Sequence, residues 1–381
     1  MYFTAGATWV QAHRKDLKIG YTYTYMDTPQ NTLLAPHTSL AVGGPAKHLS
    51  ICTTTDSLVA ALVAAQDRQL WLLGYGANSL VSDDGLPGTT ILVRTTNISQ
   101  EDNSATIIAD AGVWWDDLVQ FAVARNLWGL EFMSAIPGSV GAAIIGNIAA
   151  YGQAVADTLS WVEVFDRQHN NVYRLPASHI EFGYRHSSFQ QKDSDHLVIV
   201  RAAFTLQPSP TKDLEYQAAL DVVEEKQYDI ATLNGRRQAI LETRRRSGSL
   251  WDWRHPDHYL HTAGSFFRNP VVSDEAVEQL LAYEERDRTA AMIRKMNQIH
   301  GGSGKRVSAA HVLLAAGFHR GQSWGAVRLH PDHILKLENT GDASAQQIYN
   351  VAMEITRTVK AKLGIDIVPE VRFLGRFKEN A

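Results

Sequence analysis

Cysteine occurs once in the 381 residues, as Cys52, which excludes an intrachain disulfide framework and any multi-cysteine zinc or iron–sulfur site. That usage suits a reducing compartment, and a cytoplasmic location is expected. Long apolar runs are missing too: the best, "LVAALVAA" at 58–65, reads as one face of a short helix rather than a membrane span. Nor is there a surplus of either charge. The 36 Lys and Arg against 40 Asp and Glu leave a net charge of -4, which argues against a general nucleic-acid binder, so any anionic ligand must be held by local groups. The first 25 residues lack the continuous apolar core of a secretory signal, and 1–36 read as an N-terminal extension.

What is present is interior: 45% of the residues are hydrophobic and 20% charged, enough for two or three packed units at this length. Cap residues at Thr55 to Ser57 open a helical apolar pattern, followed by "LWLLGYGANSLVSDDGLPGTTILV" (70–93), which reads as strand, loop, strand. A strand at 105–110 and a helix over 114–125 repeat the theme. Strands at 161–166, 171–175 and 196–206 suggest an antiparallel sheet, and the prolines of 207–213 a loop. A helix near 229–245, a second α/β unit to about 362 and a closing strand around "IDIVPEVRFLG" follow, while 274–300 reads as a charged helix or helix pair.

Two glycine-rich segments invite an anion. Gly74-Tyr75-Gly76-Ala77-Asn78-Ser79 follows an apolar strand, so its backbone amides, with Asn78 and Ser79, form either a tight turn or a nest for a diphosphate. It departs from G-x-G-x-x-G at Ser79, and "GGSGKR" (301–306) is no P-loop either. Ile136-Pro137-Gly138-Ser139-Val140-Gly141, leading to Asn147 and Tyr151, has the same character. One long cofactor with a diphosphate bridge would suit both. Charges embedded in apolar stretches stand at Arg185 in "FGYRHSSF" and at Glu370 and Arg372 in "PEVRF"; each is an internal ion pair or a functional group. Ser265 in "HTAGSFFRNP" fails the G-x-S-x-G pattern of a hydrolase, leaving a capping serine or a hydroxyl with another use. The spacing of "HPDHYLH" (255–261) matches no standard metal site, and no metal is expected.

In this order and spacing, "LGYGANSL", "IPGSVGAAIIGNIAAYG", "FGYR", "AGSFFRNP" and "PEVRF" resemble the UDP-N-acetylmuramate dehydrogenases, also called UDP-N-acetylenolpyruvoylglucosamine reductases, from residue 37 to 375. The resemblance implies an α+β protein: a vanillyl-alcohol-oxidase-type FAD-binding fold of two subdomains plus a C-terminal α/β substrate-binding domain. Subdomain 1 would be 37–98 completed by 365–381, subdomain 2 with a tyrosine lid loop 99–248, and the substrate domain 249–364. It also implies non-covalent FAD along Gly74 to Ser79, Ile136 to Ser139, Gly141, Asn147, Tyr151 and Arg372, with NADPH as reductant. A monomer acting on a small UDP-sugar is expected, without nucleic acid or membrane. Arg185 and Glu370 would meet the substrate carboxylate, Ser265 would be the general acid, and Tyr216 and Asn269 would hold the nucleotide, with Arg245, or its neighbour Arg244 or Arg246, adding a positive charge there.

Three positions depart from the family: Ser247 stands where a lysine is usual, Ala154 where a glutamate is, and His311 where a tryptophan is. They motivate one alternative, a silent flavin or UDP-sugar binder; a second, a flavin enzyme for another hydroxy acid or sugar, is opposed by the joint presence of Arg185, Ser265 and Glu370.

Overall fold

A computed structural model describes residues 26–27, 30–66, 68–282 and 305–379. The part of the expected charged helical stretch 274–300 beyond residue 282, and most of the expected N-terminal extension, lie outside the described residues. Contacts divide the chain into two compact units: 1–30, 48–74 and 88–243 in the first; 31–47, 75–87 and 244–381 in the second. This grouping cuts through the expected subdomain 37–98.

Two larger sheets and two short two-stranded ones lie among the described residues of the first unit. In one larger sheet, Leu70–Leu73 runs parallel to Leu86–Val93, paired from Leu70↔Thr89 to Leu73↔Leu92. In the other larger sheet the order is Asn171–Pro176, Leu159–Asp166, Leu197–Thr205, Thr106–Asp110, Ile98–Gln100, antiparallel throughout. Helices Thr55–Ala64 and Trp115–Val123 bury Leu58, Leu62, Leu118 and Val119 against these sheets. Thr54 starts the first helix with a reciprocal capping box to Ser57, satisfying two otherwise orphaned amides. Trp115 is wholly buried, and its indole N–H donates to the Met133 carbonyl at 2.9 Å, so its polar edge is not stranded.

The second unit packs a four-stranded sheet, in the order His261–Thr262, Leu337–Asn339, Val327–Leu329, Ser323–Trp324, with the helix Ala345–Leu363. Ile348, Val351, Ala352, Ile355 and Val359 fall at helical spacing and supply its buried face. Ser344 and Gln347 form a capping box at its start, and Asp83 accepts from the Ala345 and Gln346 amides at 2.8 and 2.9 Å. At its end Gly364 takes φ +68°, the left-handed stop that glycine accepts most readily.

Two expectations need correction. The 70–93 stretch holds a third strand, Ser79–Val81, which pairs in parallel with Arg372–Leu374. The closing strand is only Arg372–Leu374, because the backbone of 368–370 is engaged with 266–268 through isolated bonds that form no ladder.

Candidate active site

In the first unit, backbone pairing fixes the segment 136–141. Trp115 N–H donates to the Gly138 carbonyl (2.9 Å), Val140 N–H to Val113 (2.9 Å) and Gly141 N–H to Ala111 (2.8 Å). Ser139 Oγ accepts from Ala142 N–H at 3.4 Å and caps Val140–Ile145. Gly138 sits at φ +136°, and a Cβ built there meets nothing within 4 Å, so one face of its backbone is open. A Cβ at Gly74 would collide with Ser139 Oγ, which places these two expected cofactor residues against each other and explains the glycine.

The entry to this segment is braced by a buried ion pair. Ala135, at φ +55°, donates its N–H to Asp116 Oδ1 at 2.6 Å, and Arg237 grips both carboxylate oxygens at 2.7 and 2.6 Å. Burial by itself raises the Asp116 pKa, but the Arg237 hydrogen bonds and charge outweigh it and leave the carboxyl below its usual range.

Arg185 closes the hairpin of Phe182–Gly183 and His186–Ser187 at φ +53°, a left-handed conformation that costs a non-glycine residue about 1–2 kcal/mol. The surroundings enforce it: Gln190 Nε2 donates to the Arg185 carbonyl (3.1 Å) and to the Ile145 carbonyl (2.8 Å), and Ser187 Oγ also donates to Ile145 (2.8 Å). Asn147 Nδ2 reaches the Gly183 carbonyl at 3.0 Å. Arg185 and Asn147 are thereby brought to the end of the helix that Ser139 caps. Tyr151 and Tyr216 meet edge-on, centroids 5.0 Å apart, with Tyr216 just ahead of the helix Gln217–Lys226.

The second unit assembles the other candidates. Phe266 and Phe267, both buried, anchor the stretch that carries Ser265. Phe266 N–H donates to Leu335 O (2.7 Å), Glu370 N–H to Phe266 O (2.8 Å) and Arg268 N–H to Val368 O (3.0 Å). Arg372 N–H then donates to Asn78 O (3.0 Å), and Asn78 Nδ2 to Glu370 O (3.2 Å). Ser265, Glu370, Arg372, Asn78 and Ser79 therefore share one backbone-knitted neighbourhood. Tyr75 is buried, its ring tilted at 5.0 Å from Trp253, and Ser39 Oγ donates to the Ala77 carbonyl at 3.3 Å.

Other candidates have structural employment. Asn269 Oδ1 accepts from Ala309 N–H at 2.9 Å at the start of the helix Ala309–Ala315. Arg245 is exposed in the last turn of Leu233–Arg246. A recess of about 600 Å³ lined by Arg167, Gln168, Lys192, Asp193, Asp195 and His196 holds none of the expected residues. Sequence reasoning missed the Asp116–Arg237 brace, Gln190, and Lys336, which is 2% exposed. Lys336 alone left a signal, as a charge inside the apolar run "HILKL".

For a phosphate-bearing cofactor the segment 136–141 fits, with an open glycine backbone at Gly138 flanked by the Ser139 hydroxyl. Residues 46–173 match the family model described as FAD binding domain, and 255–374 match "UDP-N-acetylenolpyruvoylglucosamine reductase, C-terminal domain". An FAD-binding domain joined to such a C-terminal domain makes this a flavin-dependent oxidoreductase, and the expected α+β fold class holds.

Proteins named UDP-N-acetylenolpyruvoylglucosamine reductase are similar over most of the length. The one from Salinispora arenicola is 35% identical over 350 residues, covering 88% of this chain and 93% of that protein. The one from a Mycobacterium species is 34% identical over 348 residues, covering 90% and 95%. The chain belongs to the UDP-N-acetylenolpyruvoylglucosamine reductase family. A crystal structure of the Thermus caldophilus member shares the fold, with a TM-score of 0.61 at 22% identity, over 92% of this chain and 100% of that one.

Proposed function

We propose that the chain catalyses the NADPH-dependent, FAD-mediated reduction of UDP-N-acetylglucosamine enolpyruvate to UDP-N-acetylmuramate, a step in peptidoglycan precursor synthesis, as a monomer in the cytoplasm. Bound FAD supplies the two-electron carrier between the nicotinamide and the enol ether. Reduction of the enolpyruvyl double bond adds hydride at the terminal carbon and a proton at C2.

The chain's own groups answer the second requirement. Ser265 Oγ donates the proton to C2 and recovers it from solvent. Arg185 and Glu370 stabilise the charge that develops on the enol carboxylate, with Glu370 carrying a proton when it faces that charge. Gly74 to Ser79, Ile136 to Ser139, Gly141, Asn147, Tyr151 and Arg372 hold the cofactor, and Tyr216, Arg245 and Asn269 the nucleotide. The observation that carries this reading is the pairing of 266–268 with 368–370 and of Arg372 with Asn78, which sets the serine and the glutamate on one rigid patch beside a glycine-rich loop. Rigid backbone support is what a proton donor and a charge stabiliser need.

Purified protein should be yellow, bleach with NADPH, and regain its colour when the enolpyruvyl sugar is added. Bleaching without recovery by that sugar would overturn the reading.

A further inference from the structure

Lys336 lies in the interior of the second unit with 2% of its surface exposed, between the buried Leu335 and Leu337. Its Nζ donates to the Ser247 carbonyl at 2.6 Å, the Gly248 carbonyl at 2.7 Å and Ser249 Oγ at 2.8 Å. All three ammonium donors go to neutral acceptors. A cation buried on such terms is costly, and neutral donors such as an amide would tie a turn more cheaply.

The turn it holds is otherwise self-knotted. Gly248 N–H donates to the Arg245 carbonyl at 3.1 Å, Arg244 Nη2 to the Ser249 carbonyl at 2.8 Å, and the hydroxyls of Ser247 and Ser249 lie 2.8 Å apart. Gly248 takes φ +57°, and a Cβ there would press on His330 Nε2 at 3.2 Å. Ser247 in this turn stands where the resemblance implies a lysine.

Resting on the function proposed above, we propose that Lys336 replaces that lysine from beneath, as a positioning residue whose buried ammonium fixes the 247–249 turn, and Arg245 with it, for the anionic nucleotide part of the substrate. The charge acts through the turn it holds, without touching the ligand.

A pH signature follows. The charged and titratable groups around Lys336 are Arg244, His330, Asp332, His333 and Glu338. Burial first, then the Arg244 charge, lowers the Lys336 pKa to about 7, against the opposing pull of Asp332 and Glu338. Burial also lowers the pKa of His330 and takes His333 to about 4. A neutral amine keeps two donors, and one of the three turn acceptors then loses its bond.

The test is steady-state kinetics with the enolpyruvyl UDP-sugar from about pH 6 to about pH 9, on flavin-loaded wild type, Lys336→Met and Lys336→Arg. Wild-type KM should rise as pH climbs through the Lys336 pKa. In Lys336→Met, KM should be raised about tenfold at the acid end and lose that pH-dependence, with the loss falling on KM rather than kcat. Lys336→Arg, charged throughout, should keep a low KM to higher pH, and it decides the matter if the methionine variant fails to fold. The same KM–pH profile in wild type and in the folded variants overturns the proposal. Wild type that fails to reduce the sugar at every pH overturns the underlying function instead.

Discussion

Replacing Asp116 by asparagine removes one charge from the buried brace behind the segment 136–141. Asp116 and Arg237 are 8% and 9% exposed, and the carboxylate accepts four bonds: two from Arg237, one from the Ala135 amide and one from Gln120. An amide in its place turns an N–H₂ group toward the guanidinium and leaves that cation uncompensated, at a cost of about 3–5 kcal/mol. For a unit of this size each kcal/mol shifts Tm by roughly 2–4 °C, so a fall of about 10 °C is expected by calorimetry. Ala135, held at φ +55° by this contact, should relax, and flavin retention through gel filtration should fall with it. The double change Asp116→Leu with Arg237→Met removes both charges and should recover most of the stability. It should not recover flavin retention, because leucine leaves the Ala135 amide without an acceptor. An Asp116→Asn protein melting within about 2 °C of wild type with full flavin content would refute this reasoning.

Gly74→Ala should weaken flavin binding by forcing Ser139 off its helix cap, whereas Gly183→Ala, whose added Cβ would meet nothing nearer than 3.8 Å, should be tolerated; equal flavin content in both variants would count against the Gly74–Ser139 contact. His333 has its folded pKa lowered to about 4 from an ordinary 6.5, chiefly by burial. Its contribution is therefore fully present above pH 6.5 and is lost as pH falls toward 4, about 3 kcal/mol in all. Urea titrations at both ends of that window should show a smaller acid loss in His333→Gln, and an identical loss would contradict the assignment.

The parts of the candidate site that the sequence suggests are local. Glycine at 74 and 138, the apolar anchors after Ser265, and charges set in the apolar contexts of Arg185 and Glu370 all leave marks within a few residues. The main helices and the antiparallel sheet followed from periodicity and caps, with boundaries displaced by a few positions: Trp115–Val123 against the expected 114–125, and Leu233–Arg246 against 229–245. What sequence could not supply was support from a distance. Asp116 and Arg237 are 121 positions apart and Lys336 is 89 from Ser247, so no window contains both partners. Ser79–Val81 was hidden for the same reason, since its pairing partner lies at Arg372–Leu374.

The most direct test of the central claim is a stopped-flow comparison of wild type and Ser265→Ala in the two half-reactions. With Ser265 as proton donor to C2, the variant's flavin should still be reduced by NADPH at close to the wild-type rate. Its reoxidation by the enolpyruvyl sugar should slow by about a hundredfold or more. Equal slowing of both half-reactions, or unimpaired reoxidation, would contradict the role assigned to Ser265.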